Sequence, residues 1–250
     1  MRMTLIHDVM KDMKNFNAVI QPIVDARTGK VIAGETLMRW KYRGEDVSPG
    51  VFIPILEEEN LIQIAGRWIL RQAVYACSFI VKYIPEFRLS VNVSLRQLDD
   101  PLLLNELTDL LKSYHLDGDH LVLEITESCM VKDIEKFQEL IDSCHKLGVH
   151  LAIDDFGSGY SSMWTLMHYN IKFIKIDRSL LLEMEKSKEK AVFVSNLIDA
   201  CHQLGKWICM EGAETDTQSS LAKNVRCDYI QGFYYYRPSS LEDVFRLVQQ

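Results

Sequence analysis

Two textures alternate along this chain. Short runs rich in β-branched and aromatic residues read as strands: Ala18–Val24, Val31–Leu37, Arg88–Val93, Leu121–Thr126, Val149–Asp154, Phe173–Asp177, Lys206–Met210 and Asp228–Gln231. Longer stretches with apolar residues three and four apart predict helices over Phe52–Tyr83, Leu102–Tyr114, Ile134–Leu147, Lys186–Leu204 and Leu241–Val248. Ser240, with Asp243 three residues on, predicts an N-terminal cap for the last of these. Eight strands with helices between most of them, in 250 residues without a Pro/Gly/Ser-rich linker, predict an α/β fold, a TIM-like (β/α)8 barrel. The connection Asp25–Lys30 is too short for a crossover helix, so one antiparallel strand is expected near the N-terminus. Residues 1–15 read as an N-terminal helix or linker stub, and 16–250 as the barrel domain.

The polar positions inside those strands carry the chemistry. Alternate side chains of a barrel strand point inward, and the end that feeds the following helix holds the active site. In Arg88–Val93, Leu89, Val91 and Val93 share one face while Ser90 and Asn92 share the other. Glu124 opposes Leu123 and Ile125, Asp154 opposes Leu151 and Ile153, and Lys175 opposes Ile174 and Ile176. The full set is Gln21, Glu35, Asn92, Glu124, Asp154, Asp155, Lys175, Glu211 and Gln231. Any one of these is an ordinary solvated strand end. Together, five carboxylates at one barrel mouth repel each other unless cations sit between them. Oxygen ligands without nearby Cys or His suit Mg2+ or Mn2+, and adjacent Asp154 and Asp155 are placed to serve two ions. The residues thus reach a metal-dependent barrel hydrolase of phosphate esters, and leave the substrate open.

Composition narrows this further. With 28 basic and 35 acidic residues the net charge is −7, which argues against sequence-blind binding of DNA, RNA or anionic lipid but not against a small phosphate ligand held by metal ions. Six cysteines without a CxxC pair and seven histidines without HxxxH or HExxH spacing argue against a disulfide framework or a zinc site. No apolar run approaches the roughly 18 residues of a membrane span, and no secretion signal opens the chain. A reducing cytoplasm is the expected compartment.

The motifs resemble those of the EAL-domain phosphodiesterases of bacterial cyclic di-GMP signalling. The resemblance runs from Gln21 to Pro238 as an ordered series: QPIV at Gln21, ETLMRW at Glu35, SPGVFIPILEEENLI at Ser48, SVNVS at Ser90 and LEITES at Leu123. DDFGSGYSS at Asp154, KIDRS at Lys175, MEGAET at Met210 and QGFYYYRP at Gln231 complete it. It implies an eight-stranded barrel with one reversed strand, hydrolysis of cyclic di-GMP to linear 5'-pGpG, and two Mg2+ or Mn2+ ions, with Ca2+ inhibitory. It also implies that Glu35, Asn92, Glu124, Asp154, Asp155 and Glu211 ligate metal. Lys175 would orient the attacking water, and Glu211 would act as general base or water-positioning carboxylate. Gln21, Leu37, Arg39, Glu214 and Gln231 would hold the phosphates and guanines. Glu127 would anchor the Asp154–Ser162 loop, which in the family links dimer contacts to metal occupancy. A homodimer and fusion to sensor domains in a longer protein are expected on the same ground.

Several positions depart from the family pattern: Thr36, Ser158, Lys172, Met210, Ala213 and Phe233. None removes an expected ligand, and Met210 is the one with a bearing on Glu211. The main rival is a catalytically silent cyclic di-GMP receptor or protein-interaction module. Such members typically lack ligands or the lysine, all of which this chain has. A barrel enzyme for another phosphoester is disfavoured by the substrate-side motifs at Gln21, Arg39 and Gln231, and no GGDEF string is present.

Overall fold

The computed structural model describes residues 1–11, 13–98, 100–126, 134–158 and 163–249. A first helix, α1 (Arg2–Met10), precedes two long strands, β1 (Phe16–Asp25) and β2 (Val31–Tyr42), and a short β3 (Glu45–Val47). Then come α2 (Pro49–Glu58), α3 (Ile62–Ile80), β4 (Arg88–Asn92), α4 (Leu103–Ser113), β5 (Leu121–Thr126), α5 (Ile134–Lys146) and β6 (His150–Phe156). The chain continues through α6 (Met163–His168), β7 (Phe173–Ile176), α7 (Arg178–Lys186), α8 (Lys188–Gln203) and β8 (Trp207–Met210). It ends with α9 (Asp216–Asn224), β9 (Tyr229–Ile230), β10 (Ser239–Ser240) and α10 (Leu241–Val248).

Eight strands close into a barrel in the order β1-β2-β4-β5-β6-β7-β8-β9, with β9 pairing back onto β1. Strand β1 runs antiparallel to both its neighbours, while β2 and β4 to β9 run parallel. The tight β1–β2 turn explains the reversal. Asp25 accepts from the backbone and hydroxyl of Thr28, and Gly29 takes a left-handed φ of 70°.

Strand alternation builds the core. The outward residues Leu89, Val91, Leu123, Ile125, Leu151, Ile153, Ile174, Ile176, Ile208, Met210 and Ile230 are buried in one cluster with the helices. A second cluster gathers Leu5 and Val9 of α1 with Phe16, Trp40, Phe52, Leu56, Leu61 and Ile62. It packs over the overhang of the β1–β2 hairpin, where Phe16 and Trp40 stack at 5.7 Å. That overhang carries β2 beyond the predicted Leu37 to Tyr42, because Phe16–Ile20 pair with Thr36–Trp40.

One predicted helix divides. Phe52–Tyr83 is α2 and α3, broken where Asn60 takes a φ of 55°. Lys186–Leu204 corresponds to α8 alone, which starts after Ser187, an extended residue whose side chain accepts from the backbone N–H of Lys190 as its cap. Helices α6, α7 and α9 were not anticipated. The last helix and its Ser240 cap match, the hydroxyl accepting from Asp243 N–H at 3.1 Å. No helix among the described residues is long and apolar enough to cross a membrane. Cys77, Cys144, Cys201, Cys209 and Cys227 are free and buried.

Candidate active site

The polar ends of six strands meet inside the mouth of the barrel, centred on Lys175. Alternation sends Ile174 and Ile176 outward into the core and Lys175 inward, where it is 3% exposed. Its Nζ lies 2.8 Å from Glu124 Oε2, 2.7 Å from Glu211 Oε1, 3.1 Å from Glu35 Oε2 and 3.2 Å from Asp154 Oδ1. The cation needed to hold these carboxylates together is thus partly the protein's own.

An amide network fixes the β1–β2 side. Asn92 donates to Glu35 Oε1 at 2.7 Å, and Gln231 donates to Glu35 Oε2 at 2.7 Å and to Gln21 Oε1 at 3.1 Å. Gln21 in turn donates to the Tyr236 carbonyl at 3.1 Å. Register accounts for the meeting: Gln21 faces Glu35 across the hairpin, and Asn92 faces Glu124 across β4–β5.

Asp154 and Asp155 are neighbours in sequence, so a regular strand would point them to opposite faces. Here the β6–β7 register shifts between Ile153 and Phe156, and Asp155 takes a left-handed φ of 55°. That irregularity re-aims the second carboxylate. Asp154, Asp155 and Glu211 can each bring an oxygen within 4.8 Å of one another. Gly157 follows at φ 96°, where an added Cβ would come within 2.3 Å of Leu180, so the turn after Asp155 requires glycine. Gly159 and Glu127 lie outside the described residues.

The electrostatics divide the carboxylates into two kinds. Burial pushes Glu35 up, but Lys175 and the hydrogen bonds from Gln231 and Asn92 outweigh it and leave it below the usual range. Burial and the charge of Glu35 hold Glu124 well above that range despite Lys175. Burial lifts Glu211 to about 8, and burial together with Asp154 raises Asp155. On Lys175 burial works against the charge, yet Glu124, Glu211 and Glu35 together raise it well above an ordinary lysine. One ammonium does not neutralise this cluster. Asp154 Oδ1, within ion-pair reach of Lys175 but out of hydrogen-bond alignment, is buried without a hydrogen-bond partner. An acidic, oxygen-only group with a buried unpartnered acceptor has the donor set of a hard divalent cation.

The remaining residues expected on the substrate side fall into two groups. Leu37 and Arg39 line a cavity of about 560 Å³ between the β2 overhang and α3, which also reaches Asn92 and Ser94. Arg39 is half-buried and donates to the Met38 carbonyl at 3.0 Å. Glu214 stands apart, held bidentately by Arg178 at 2.7 and 2.6 Å. Sequence reasoning passed over Arg178, although it sits inside the KIDRS run directly after Asp177, the N-cap of α7. Its side chain lies over Gly212, where a Cβ would meet it at 2.6 Å. Also missed was Gln97, which accepts from Ser94 N–H at 3.0 Å and fills the space beside Gly66. Met210 turns outward into the core, away from Glu211.

A family model for the EAL domain matches residues 7–238. The chain belongs to the EAL-domain family. It is 30% identical over 254 residues to the bifunctional diguanylate cyclase/cyclic di-GMP phosphodiesterase MucR of Pseudomonas aeruginosa, matching 99% of this chain and 37% of that protein. It is 31% identical over 249 residues to the cyclic di-GMP phosphodiesterase PA2567 of the same organism, matching 98% of this chain and 42% of that one. The chain therefore spans less than half the length of these relatives. Among solved structures, the MucR phosphodiesterase in complex with c-di-GMP superposes with a TM-score of 0.88 at 30% identity, over 96% of this chain and 99% of that one. The EAL enzyme Bd1971 bound to cAMP and cyclic di-GMP gives 0.90 at 27% identity, over 99% and 69%. These likenesses and the closed eight-stranded barrel agree with the expected fold.

Proposed function

We propose that this EAL domain hydrolyses cyclic di-GMP to linear 5'-pGpG with two divalent ions, Mg2+ or Mn2+. The observation that carries the reading is the carboxylate cluster itself: four acidic groups on Lys175, with Asp155 brought beside them by the β6 irregularity. Glu35, Asn92, Glu124, Asp154, Asp155 and Glu211 would hold the ions, Asn92 offering its amide oxygen. Bound there, divalent ions supply Lewis acidity, which makes water a stronger acid and offsets charge on a phosphodiester.

The chain's own residues do the rest. Water adds to phosphorus and the P–O3' bond breaks; the water's proton leaves to a base and the released ribose oxygen gains one. Glu211 suits the role of base, because its side chain is the most accessible of the four on Lys175, at 16% against 2–12%. Lys175 sets a fixed positive charge beneath the reacting phosphate, where negative charge builds. Gln21 and Gln231 present amides beside Glu35, and Leu37 and Arg39 shape the adjoining cavity for a guanine. Glu214 would reach the ligand only along with Arg178, which is why we add Arg178 to the substrate-side residues.

The relatives' greater length supports the view that the domain works inside a larger sensor protein. Exposed Met163, Trp164 and Met167 on α6 support the expected homodimer. The test is chromatography of products after incubating the purified chain with cyclic di-GMP and Mn2+ or Mg2+. The expected result is chelator-sensitive formation of pGpG, lost in Glu35→Ala and Asp154→Ala, with Ca2+ competing but not supporting turnover. Intact nucleotide that nonetheless binds tightly would overturn the enzyme reading in favour of the receptor.

A further inference from the structure

We propose that the end of the barrel opposite the carboxylates binds a small, uncharged planar aromatic molecule. Below the carboxylates the inward positions are Ile23, Ala33, Ser90, Val122, Ala152, Phe173, Cys209 and Tyr229. Bulky branched side chains ordinarily fill this layer of a (β/α)8 barrel. Four of these eight are instead alanine, serine or cysteine, and an open cavity of about 550 Å³ remains. Lys175 and Glu124 line its inner end, so it reaches the underside of the catalytic cluster without entering the upper mouth.

The outer opening is aromatic. Trp207 stacks on Tyr229 with ring centroids 5.9 Å apart and planes 20° apart, and Phe173 lies 6.3 Å from Tyr229. Trp207 is 47% exposed although it belongs to a barrel strand. Of the charged groups around this opening, Arg27 and Glu86 sit exposed to solvent at the rim, and the others are committed elsewhere. Asp25 accepts from Thr28, Asp228 from Ile208 N–H and His202, and Arg88 donates to Asp119. Ser90 donates to the Gly34 carbonyl. The walls thus offer apolar area and ring faces with few polar atoms demanding a partner. A cavity in the 300–1,000 Å³ range with such a lining suits a compact apolar ligand, and the aromatic row selects a flat one by stacking.

The proposal stands apart from the phosphodiesterase reading, and its test does not use turnover. Saturation-transfer NMR on the full chain, with indole and 2-naphthol as probes, should show transfer to both. Trp207→Ala, which trims an exposed side chain, should weaken binding at least fivefold. Ala152→Leu, which fills the small-residue layer, should abolish it with the circular dichroism spectrum unchanged. Should that variant not fold, Trp207→Ala decides. Added cyclic di-GMP should not displace either probe. Absence of transfer from both probes, affinity unchanged in Trp207→Ala, or displacement by cyclic di-GMP would each overturn the proposal.

Discussion

At Lys175 one ammonium answers four carboxylates, and its burial makes that arrangement expensive to disturb. Removing one partner from a buried ion pair costs about 3–5 kcal/mol, because the charge left behind has neither water nor counterion. Lys175→Ala leaves Glu35, Glu124, Asp154 and Glu211 facing each other across an unfilled space. We expect it to destabilise the metal-free protein by about 3 kcal/mol. Thermal melts in chelator would read this, with Mn2+ restoring part of the loss. Turnover of cyclic di-GMP should fall on the order of 10²-fold even with saturating metal, since ions at the carboxylates do not replace the charge at Nζ. An unchanged melting temperature in chelator would mean that the network is not held by the lysine. Asp154 and Asp155 make a second point at this scale. The sequence showed two adjacent carboxylates, but alternation alone would have parted them; only the register shift and the left-handed Asp155 bring both to one place.

Among the elements, α3 governs the rim of the site through a glycine. A Cβ at Gly66 would lie 1.7 Å from Gln97 Nε2, and Gln97 holds the turn after β4 by accepting from Ser94 N–H. Gly66→Ala must therefore push Gln97 out of its buried place and loosen the chain just beyond Asn92. The expected result is a KM raised several-fold with the fold intact, measured by steady-state kinetics beside circular dichroism; unaltered KM would separate the rim from binding. No periodicity could have foretold this contact, because Gly66 reads as a small residue on the buried face of a helix. Strands were legible for the opposite reason. Their inward and outward residues differ in kind at each step, so Leu121–Thr126 was bounded as observed and Lys175 was assigned to the inner face. The helix break at Asn60 was not legible, since apolar spacing continues across it and the interruption is a backbone matter. Arg178 escaped for a third reason: its role depends on Glu214, 36 residues away, meeting it over Gly212.

The whole molecule carries a net charge of −7 and gathers five carboxylates, Glu35, Glu124, Asp154, Asp155 and Glu211, around one lysine at one end of the barrel. Beside that end, α6 exposes Met163, Trp164 and Met167. Trp164→Glu should shift a dimer to monomer in sedimentation velocity, and an unshifted species would place any dimer elsewhere. The mouth also sets how stability depends on pH. Burial lifts Glu211 from an ordinary 4.5 to about 8, and Glu124 and Asp155 are raised as well. Between those values the folded, metal-free protein holds protons that the unfolded chain has already released. The contribution of the mouth to stability must then fall as pH rises through that window. Glu35, shifted the other way, contributes stability that is lost only as pH falls below its ordinary range, so it does not cancel the slope. Melts in chelator should therefore show a melting temperature that declines by several degrees between pH 5 and about 8. Glu211→Gln should flatten the decline. Saturating Mn2+ should remove it, because ions bound to the carboxylates take the place of those protons and bind the folded state alone. A melting temperature that is level or rising across this range in chelator would show that the mouth is already neutralised without metal, and the two-ion assignment would lose its electrostatic basis.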